Sequence, residues 1–329
     1  MAKYITSYFY NDAEDAGASY GNIFLPLEQR NLVYWRTVYT LFFTSIVKNK
    51  NENIKYAFFT NVSCFPLRSE IESLGVAIFD DLQLSHRNDK EWATVKFFFD
   101  VINYIEDSLY FNDGDSVIML DTDCIGLNSA AELFSHVASA DRPIAYRTGN
   151  VDSSRFLFHG LSIPQIEKAF EGVFASKITI KDTIGGEFFG FNKNDNLRKL
   201  REQYDQLLTS EYCDLLTTEE QILTMLNANA KFVNIEFSIY RIWTAYRNYD
   251  VSSDLKRFTF LHLPSEKVDG LNRIFKQLVK MTPSTLTSDS LNKIIFSHMP
   301  LHNPIKLYVV KIINDLKKKI ISLTRKILI

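Results

Sequence analysis

Cysteine, glycine and proline are all scarce in this 329-residue chain, and each scarcity removes a class of protein. Its three cysteines, Cys64, Cys124 and Cys213, are too few and too scattered for a disulfide framework or a CxxC zinc motif, so a reducing compartment is the simpler reading. Only 12 Gly and 8 Pro accompany 46% hydrophobic and 23% charged residues, which excludes wholesale disorder and leaves a chain able to bury a core. No apolar run matches a bilayer. The longest, Leu32 to Val47, is interrupted by Arg36 and by several Thr and Ser, whereas a spanning helix needs about 18 apolar residues or more. The opening MAKYITSYFYNDAED turns acidic before any apolar run develops, so no signal peptide is expected. Internal repeats and low-complexity segments are absent as well. At roughly 100–200 residues per domain, the length fits one large or two modest domains.

What the chain does have is rings and an uneven charge. Tyr, Phe and Trp number 16, 26 and 3, or 14% of the residues, enough to line a sugar or nucleotide pocket although most are expected in the core. The net charge of -2 hides an asymmetry. Residues 305–329 carry seven Lys/Arg (306, 311, 317, 318, 319, 325, 326) and one acid, Asp315, so the tail stands at +6 and residues 1–304 at -8.

Strand and helix patterns alternate over the first two-thirds. Strands are expected at Lys3–Phe9, Lys55–Thr60, Val76–Phe79 and Ser116–Leu120. Helices are expected at Leu27–Val47, where Leu32, Trp35, Tyr39, Phe42, Phe43 and Ile46 recur mostly at spacings of three and four, and at Leu67–Leu74 and Trp92–Ile105. Gly75 stops the second of these. The run SVIML after the Asn112–Asp115 turn is apolar throughout, as a central parallel strand requires. The pattern predicts an α/β fold with a Rossmann-like, open, mostly parallel sheet flanked by helices, and ligands bind such sheets beyond the carboxyl ends of the strands. A boundary is expected near residue 270. It separates a catalytic domain, 1–270, from a helical C-terminal region, 271–329, that ends in a basic amphipathic tail.

SVIML runs straight into Asp121-Thr122-Asp123. Two carboxylates one residue apart at the end of a buried strand repel each other, and burying either alone is costly. A divalent cation, Mg2+ or Mn2+, resolves the conflict, because these ions take one or two carboxylates together with substrate phosphates. The competing reading is a solvated loop, or caps for a helix expected over Asn128–Ser135.

The string DSVIMLDTDCIGLNSAAELF resembles the strand–DxD–helix core of GT-A-fold, nucleotide-sugar-dependent glycosyltransferases, and the order of elements from Lys3 to about Pro264 agrees with it. The resemblance implies that Asp121 is a ligand for ribose and metal, and that Asp123 is a ligand for the metal bridging the sugar-nucleotide diphosphate.

Three further segments fit it. Thr183-Ile184-Gly185-Gly186-Glu187-Phe188-Phe189-Gly190-Phe191 sets glycines, which admit close backbone approach, around an acid and rings suited to a sugar face. In that family such a segment borders donor sugar and acceptor, making Gly185 and Gly186 substrate-binding candidates and Glu187 a catalytic one; the alternative is a bulged strand with Glu187 solvated. Thr217-Thr218-Glu219-Glu220-Gln221-Ile222-Leu223 reads as a helix N-terminus capped by threonine. It also resembles the family's Asp-Glu-x-x-Leu segment, with Glu219 in place of the Asp; Glu219 or Glu220 is then the general base of an inverting enzyme, or stabilises the oxocarbenium-like centre of a retaining one. Phe258 to Lys267 places His262 at a strand end and Lys267 five residues later. The resemblance makes His262 a third metal ligand and Lys267 a diphosphate contact, though Ser265 stands where the fuller motif of one retaining branch has Gly, and no Pro-Trp follows Lys267.

Lys96 or Arg87 is expected on the diphosphate, the alternative for Lys96 being a solvated helix face. In the tail, Val309, Ile312, Ile313, Leu316, Ile320, Leu323 and Ile327 form one stripe and Lys/Arg fill much of the remaining surface, the pattern of a helix lying on an anionic membrane. The alternative is a helix packed on the acidic body. Nucleic acid is disfavoured, since the tail has one aromatic and the body is acidic.

The expectation is therefore a metal-dependent (Mn2+ or Mg2+) hexosyltransferase. It takes a nucleoside diphosphate sugar, UDP-sugar first, to a hydroxyl of a lipid-linked or cell-surface glycan in polysaccharide biosynthesis. The late His–Lys pair tilts the reading toward retention, and the expected location is cytoplasmic, peripheral on the inner face of the cell membrane. A sugar nucleotidyltransferase normally opens with a Gly-rich basic loop, where this chain has the acidic NDAEDAGASYG. A non-catalytic, membrane-tethered sugar-binding protein would tolerate loss of both aspartates.

Overall fold

The computed structural model describes residues 1–12, 25–86, 93–150, 157–235, 238–244, 254–301, 303, 305, 308, 309 and 312. Strand β1 (Lys3–Phe9) leads into helix α1 (Leu27–Lys48), β2 (Ile54–Thr60), α2 (Arg68–Ser73), β3 (Val76–Phe79), α3 (Phe97–Asp107) and β4 (Ser116–Leu120). Then come β5 (Cys124–Gly126), α4 (Ala131–Ser139), β6 (Ile144–Asn150), a small hairpin of β7 (Leu157–Phe158) and β8 (Leu161–Ser162), α5 (Ile163–Phe174), β9 (Asp182–Asn192), α6 (Asp195–Leu208) and α7 (Glu219–Ala230). Short strands β10 (Val233–Asn234), β11 (Ile239–Arg241) and β12 (Phe260–His262) precede α8 (Gly270–Leu278) and α9 (Ser288–His298).

Seven strands form the main sheet in the order β10-β6-β9-β4-β1-β2-β3. Strands β1, β2, β3 and β4 run parallel, β10 and β6 run parallel, and β9 lies antiparallel to both β4 and β6. The mostly parallel α/β architecture expected from the alternating pattern is what folds. Its physical cause is visible in β4, where every residue is buried. Ile118 and Leu120 enter one apolar cluster with Trp35, Phe42 and Phe58, while Val117 and Met119 enter another, across the sheet, with Phe59, Phe97 and Phe99. Period-two alternation thus feeds two cores, and the strand's one polar residue, Ser116, is buried with its hydroxyl donating to Asn192 Oδ1 at 2.7 Å.

Most rings serve these cores. Phe99 stacks on Tyr204 at 4.1 Å between centroids, Trp35 on Phe65 at 4.2 Å and Phe59 on Phe79 at 5.1 Å. Fully burying each such side chain contributes about 1.5–3 kcal/mol.

Two local expectations shift. The third helix begins as a 3-10 turn, Ala93–Lys96, ahead of α3. The helix expected from Asn128 starts three residues later, because the Asn128 amide donates to the carbonyls of Lys256 and Phe258 and ties the chain to the segment entering β12. Helix α8 packs on α1, and Leu271, Ile274, Leu278, Leu291 and Ile295 join the cluster that holds Trp35 and Phe42.

Of the tail, Ile305, Tyr308, Val309 and Ile312 are helical and exposed; the rest of the expected stripe, 313–329, lies outside the described residues, as does Arg87. Among the described residues no helix is long and apolar enough to cross a membrane.

Candidate metal centre

The site is assembled by strand register. Beyond Leu120 the chain turns through Asp121-Thr122-Asp123 into β5, which pairs antiparallel with β12 so that Cys124 faces His262. Strand β11 runs parallel beside β12 and sets Arg241 against His262. From the other side, Leu120 pairs with Phe188 and the Asp121 amide donates to the Glu187 carbonyl at 3.1 Å, which fixes Glu187 under the aspartates. Helix α7 brings Glu219 and Glu220 on its first turn, capped by Thr218 and Gln221 in a reciprocal capping box. Gly126 lets β5 lie against α1, where a Cβ would press on the Ser45 backbone at 3.3 Å.

These turns bring Asp121, Asp123 and His262 together with their ligand atoms within 4.8 Å of one another. His262 Nε2 lies 3.4 Å from Asp121 Oδ2 and 3.2 Å from Asp123 Oδ1, and its Nδ1 lies 3.6 Å from Glu187 Oε1. Lys267 caps the other Asp123 oxygen, Oδ2, with its ammonium. Asp123 and His262 are buried, while the Asp121 side chain is 30% exposed to the cleft.

Charge in this cluster is unbalanced, and the acids record it. Burial pushes the Asp121 carboxyl up to about 6, with Asp123 adding to the effect. Burial opposes ionisation of Asp123 too, but Lys267 and His262 outweigh it and hold that carboxyl well below the usual range. Burial and the carboxylates of Glu220 and Asp121 drive Glu219 well above its ordinary value. His262 is pushed up to about 9: burial works against its charge, but Asp123 and Glu187 prevail. Two carboxylates and an imidazole converging at the end of a strand form an oxygen–nitrogen donor set. That fits a hard divalent cation.

Glu187 and Glu220 do not face the cleft. Glu187 is fully buried, gripped by Arg241 through Nε at 2.7 Å and Nη2 at 2.6 Å, and Nη2 also reaches Glu220 Oε1 at 2.5 Å. Glu220 additionally accepts from the Gly186 amide at 3.1 Å and pairs with His159 Nε2 at 2.5 Å. The expectation that Glu187 meets the sugars is therefore corrected: a carboxylate buried to this depth is kept by a fork of guanidinium donors on both oxygens, and Oε1, the oxygen that Arg241 Nε holds, also faces His262. The glycines explain themselves by crowding. A methyl on Gly185 would overlap the Glu187 carboxylate, and one on Gly186 would overlap that of Glu219.

The cleft itself, about 50 Å³, is lined by Tyr8, Phe9, Tyr10, Tyr34, Thr94, Val95, Asp121, Thr122, Asp123, Glu219 and Lys267. It has room for an ion with its waters, and Glu219 is the glutamate that borders it. Lys96 does not. It is 1% exposed and its ammonium donates to the Cys213 carbonyl at 2.7 Å, so both the phosphate contact and the solvated face are corrected for this residue. A larger cavity of about 300 Å³ lies along β6, β9 and α7 and includes none of the acidic cluster.

No protein-family model matches the chain, and no curated protein matches it in sequence. Solved structures do resemble it. Mouse xyloside xylosyltransferase 1 in its apo form aligns with TM-score 0.47 at 11% identity, over 80% of this chain and 98% of that one. The apo WbbM bifunctional glycosyltransferase aligns with TM-score 0.49 at 12% identity, over 79% of this chain and 45% of that one. The apo form of the glycosyltransferase GlyE from Streptococcus pneumoniae aligns with TM-score 0.45 at 15% identity, over 89% of this chain and 63% of that one.

Two site residues escape a reading of the sequence. Arg241 interrupts the apolar run Ile239-Tyr240-Arg241-Ile242, and a lone guanidinium in a short, half-buried strand is a signal that a carboxylate waits for it. His159 sits with Gly160 in the two-residue turn between β7 and β8, with φ of 51° and 86°, and only the folded hairpin aims it at Glu220.

Proposed function

We propose that the chain is a metal-dependent glycosyltransferase that moves a hexose from a nucleoside diphosphate sugar, UDP-sugar first, to a hydroxyl of a lipid-linked or cell-surface glycan. The observation that carries this reading is the convergence of Asp121, Asp123 and His262 at the carboxyl end of β4, in a cleft walled by rings and edged by Lys267. Ligands of open α/β sheets bind at that end.

Asp121, Asp123 and His262 would hold Mn2+ or Mg2+, and the ion, when bound, neutralises charge on the departing diphosphate. Lys267 has its ammonium on Asp123 and can turn its charge toward a phosphate oxygen as the sugar–oxygen bond breaks. Glu219, the glutamate bordering the cleft, faces the reacting sugar. With its affinity for protons raised it suits a base that takes the acceptor hydroxyl proton; in a retaining reaction it would steady an oxocarbenium-like centre once ionised. The pairing of His262 with Lys267 supports retention over inversion. Glu187 and Arg241 lie beneath, with Glu187 Oε1 3.6 Å from His262 Nδ1, where a small shift of the ring onto a bound ion would let the carboxylate orient it as outer carboxylates do for metal-bound histidines.

The tail supplies the acceptor's surface in this reading. Ile305, Tyr308, Val309 and Ile312 fall at i, i+3, i+4 and i+7, one face of a helix, and all are exposed. Lysines 306 and 311 and those beyond add about 1 kcal/mol each near an anionic leaflet. Such docking belongs to a peripheral protein on the inner face of the cell membrane.

The test is nucleotide release from a panel of UDP-, GDP- and CMP-sugars with Mn2+, measured for the wild type and for Asp123→Ala. Release that depends on Mn2+ and vanishes in the variant is expected; release indifferent to the substitution overturns the reading. Flotation with anionic liposomes, comparing the full chain with one ending at Asn303, tests the tail, and equal flotation removes it.

A further inference from the structure

A second group of metal-ligating side chains lies apart from the cleft. His86, Cys213 and Asp214 place a ring nitrogen, a thiol sulfur and a carboxylate oxygen within 4.8 Å of one another. His86 Nε2 is 3.0 Å from Asp214 Oδ1, the two residues being 128 apart in the chain. Cys213 is buried, whereas the His86 and Asp214 side chains are 27% and 64% exposed, so the sulfur forms the floor of a shallow site with solvent on its open side.

Cys213 differs from the other buried cysteine in having a lysine ammonium against its sulfur. Cys124 sits among Asp121, Asp123 and Glu187, and burial with those carboxylates drives its thiol well above the ordinary range. Cys213 has the Lys96 ammonium 3.6 Å from its sulfur. Burial raises this thiol also and Asp214 adds to it, with Lys96 offsetting them in part. Lys96 is itself anchored, donating to the Cys213 carbonyl at 2.7 Å, so the cation is fixed beside the sulfur. Asp100, 9% exposed, accepts from the Ser85 amide at 3.2 Å and so anchors the residue before His86.

Thiolate, imidazole and carboxylate together are the donor set of Zn2+, which takes sulfur, nitrogen and oxygen in tetrahedral sites and leaves a fourth place for water. We propose that Cys213, His86 and Asp214 form a Zn2+ site, independent of the DxD centre, that staples the chain at 81–86 to the loop entering α7. The cleft is lined by Thr94 and Val95, eight and nine residues beyond His86 in the chain, and by Glu219, which opens α7 five residues beyond Asp214. Binding releases the Cys213 proton to solvent, and the ion–thiolate pair retains Lys96 as an outer hydrogen-bond donor.

Cobalt(II) is the probe, because a thiolate ligand gives it a near-ultraviolet sulfur-to-metal charge-transfer band. The full-length Asp123→Ala chain, whose first site is disabled, is titrated with Co2+ and then with Zn2+. One Co2+ per chain with a thiolate band, displaced by Zn2+, is expected. The band is lost in Cys213→Ser and kept in Cys64→Ser. His86→Ala, a change at a partly exposed position that leaves the core intact, is expected to weaken Co2+ binding by more than the about 10–100-fold that loss of an outer partner costs. No thiolate band at saturating Co2+, a band surviving Cys213→Ser, or unchanged affinity in His86→Ala overturns the site.

Discussion

Lys267 and Asp123, 144 residues apart, share a buried ion pair at the floor of the cleft. Its Asp123 oxygen is the one not directed at His262, so lysine and histidine divide one carboxylate between them. Lys267 therefore competes with a cation for Asp123 while standing ready for a phosphate. Lys267→Met removes the competitor and the leaving-group charge together. Calorimetry is expected to show Mn2+ binding tighter than in the wild type, and steady-state assays a kcat lower by on the order of 10²–10³-fold, the usual cost of one charge-stabilising donor. A variant with weaker Mn2+ binding would falsify the competition.

Arg241 is the keystone beneath the aspartates. It is the guanidinium that neutralises Glu187, and it shares Glu220 with His159. Arg241→Met strands a fully buried carboxylate, at a cost of about 3–5 kcal/mol. Adding Glu187→Gln removes the stranded charge and is expected to restore a large part of the loss in urea unfolding. Additive destabilisation by the two changes would show that they act separately.

The two glycines of β9 are crowded by different carboxylates, and the difference sets the outcome of substitution. At Gly185 a methyl meets Glu187, which Arg241 holds on both oxygens; at Gly186 it meets the Glu219 side chain, which borders the cleft and so has space beside it. Gly185→Ala is expected to cost about 1–3 kcal/mol of stability, in the range of overpacking. Gly186→Ala is expected to leave stability within about 1 kcal/mol and to lower kcat by moving Glu219. Thermal melts and turnover, measured side by side, separate the two.

Much of this site is visible in the amino-acid order because local signals coincide there. SVIML needs two covered faces, so it reads as a central strand, and the acids that follow it fall at the sheet's ligand-binding end. Thr218 three residues before Gln221 announces α7, and so places Glu219 and Glu220 on its first turn. What local pattern does not contain is pairing across the chain. Glu187 and Lys96 look like surface charges in sequence, yet both are buried, because Arg241 and the Cys213 carbonyl lie 54 and 117 residues away. His86 and Cys213 likewise share no spacing rule, and only the folded chain joins them.

Lys48 offers a handle on the attachment of the C-terminal helices. At the end of α1 its ammonium donates to the Ser288 carbonyl at 3.1 Å, the Ser288 hydroxyl at 2.8 Å and Asn292 Oδ1 at 2.7 Å, clasping α9. Burial pulls its pKa down to about 8 from 10.5, against the opposing field of Asp289. Between those values the unfolded chain holds a proton that the folded chain has released, so folding stability must rise as pH increases through that window. Lys48→Met cannot titrate and follows only the remaining groups. In urea unfolding at pH 7, 8, 9 and 10, the wild type is therefore expected to gain on the variant by about 1–2 kcal/mol across the series, allowing for solvent screening. A constant gap between the two curves would place the amine in water and α9 off its clasp.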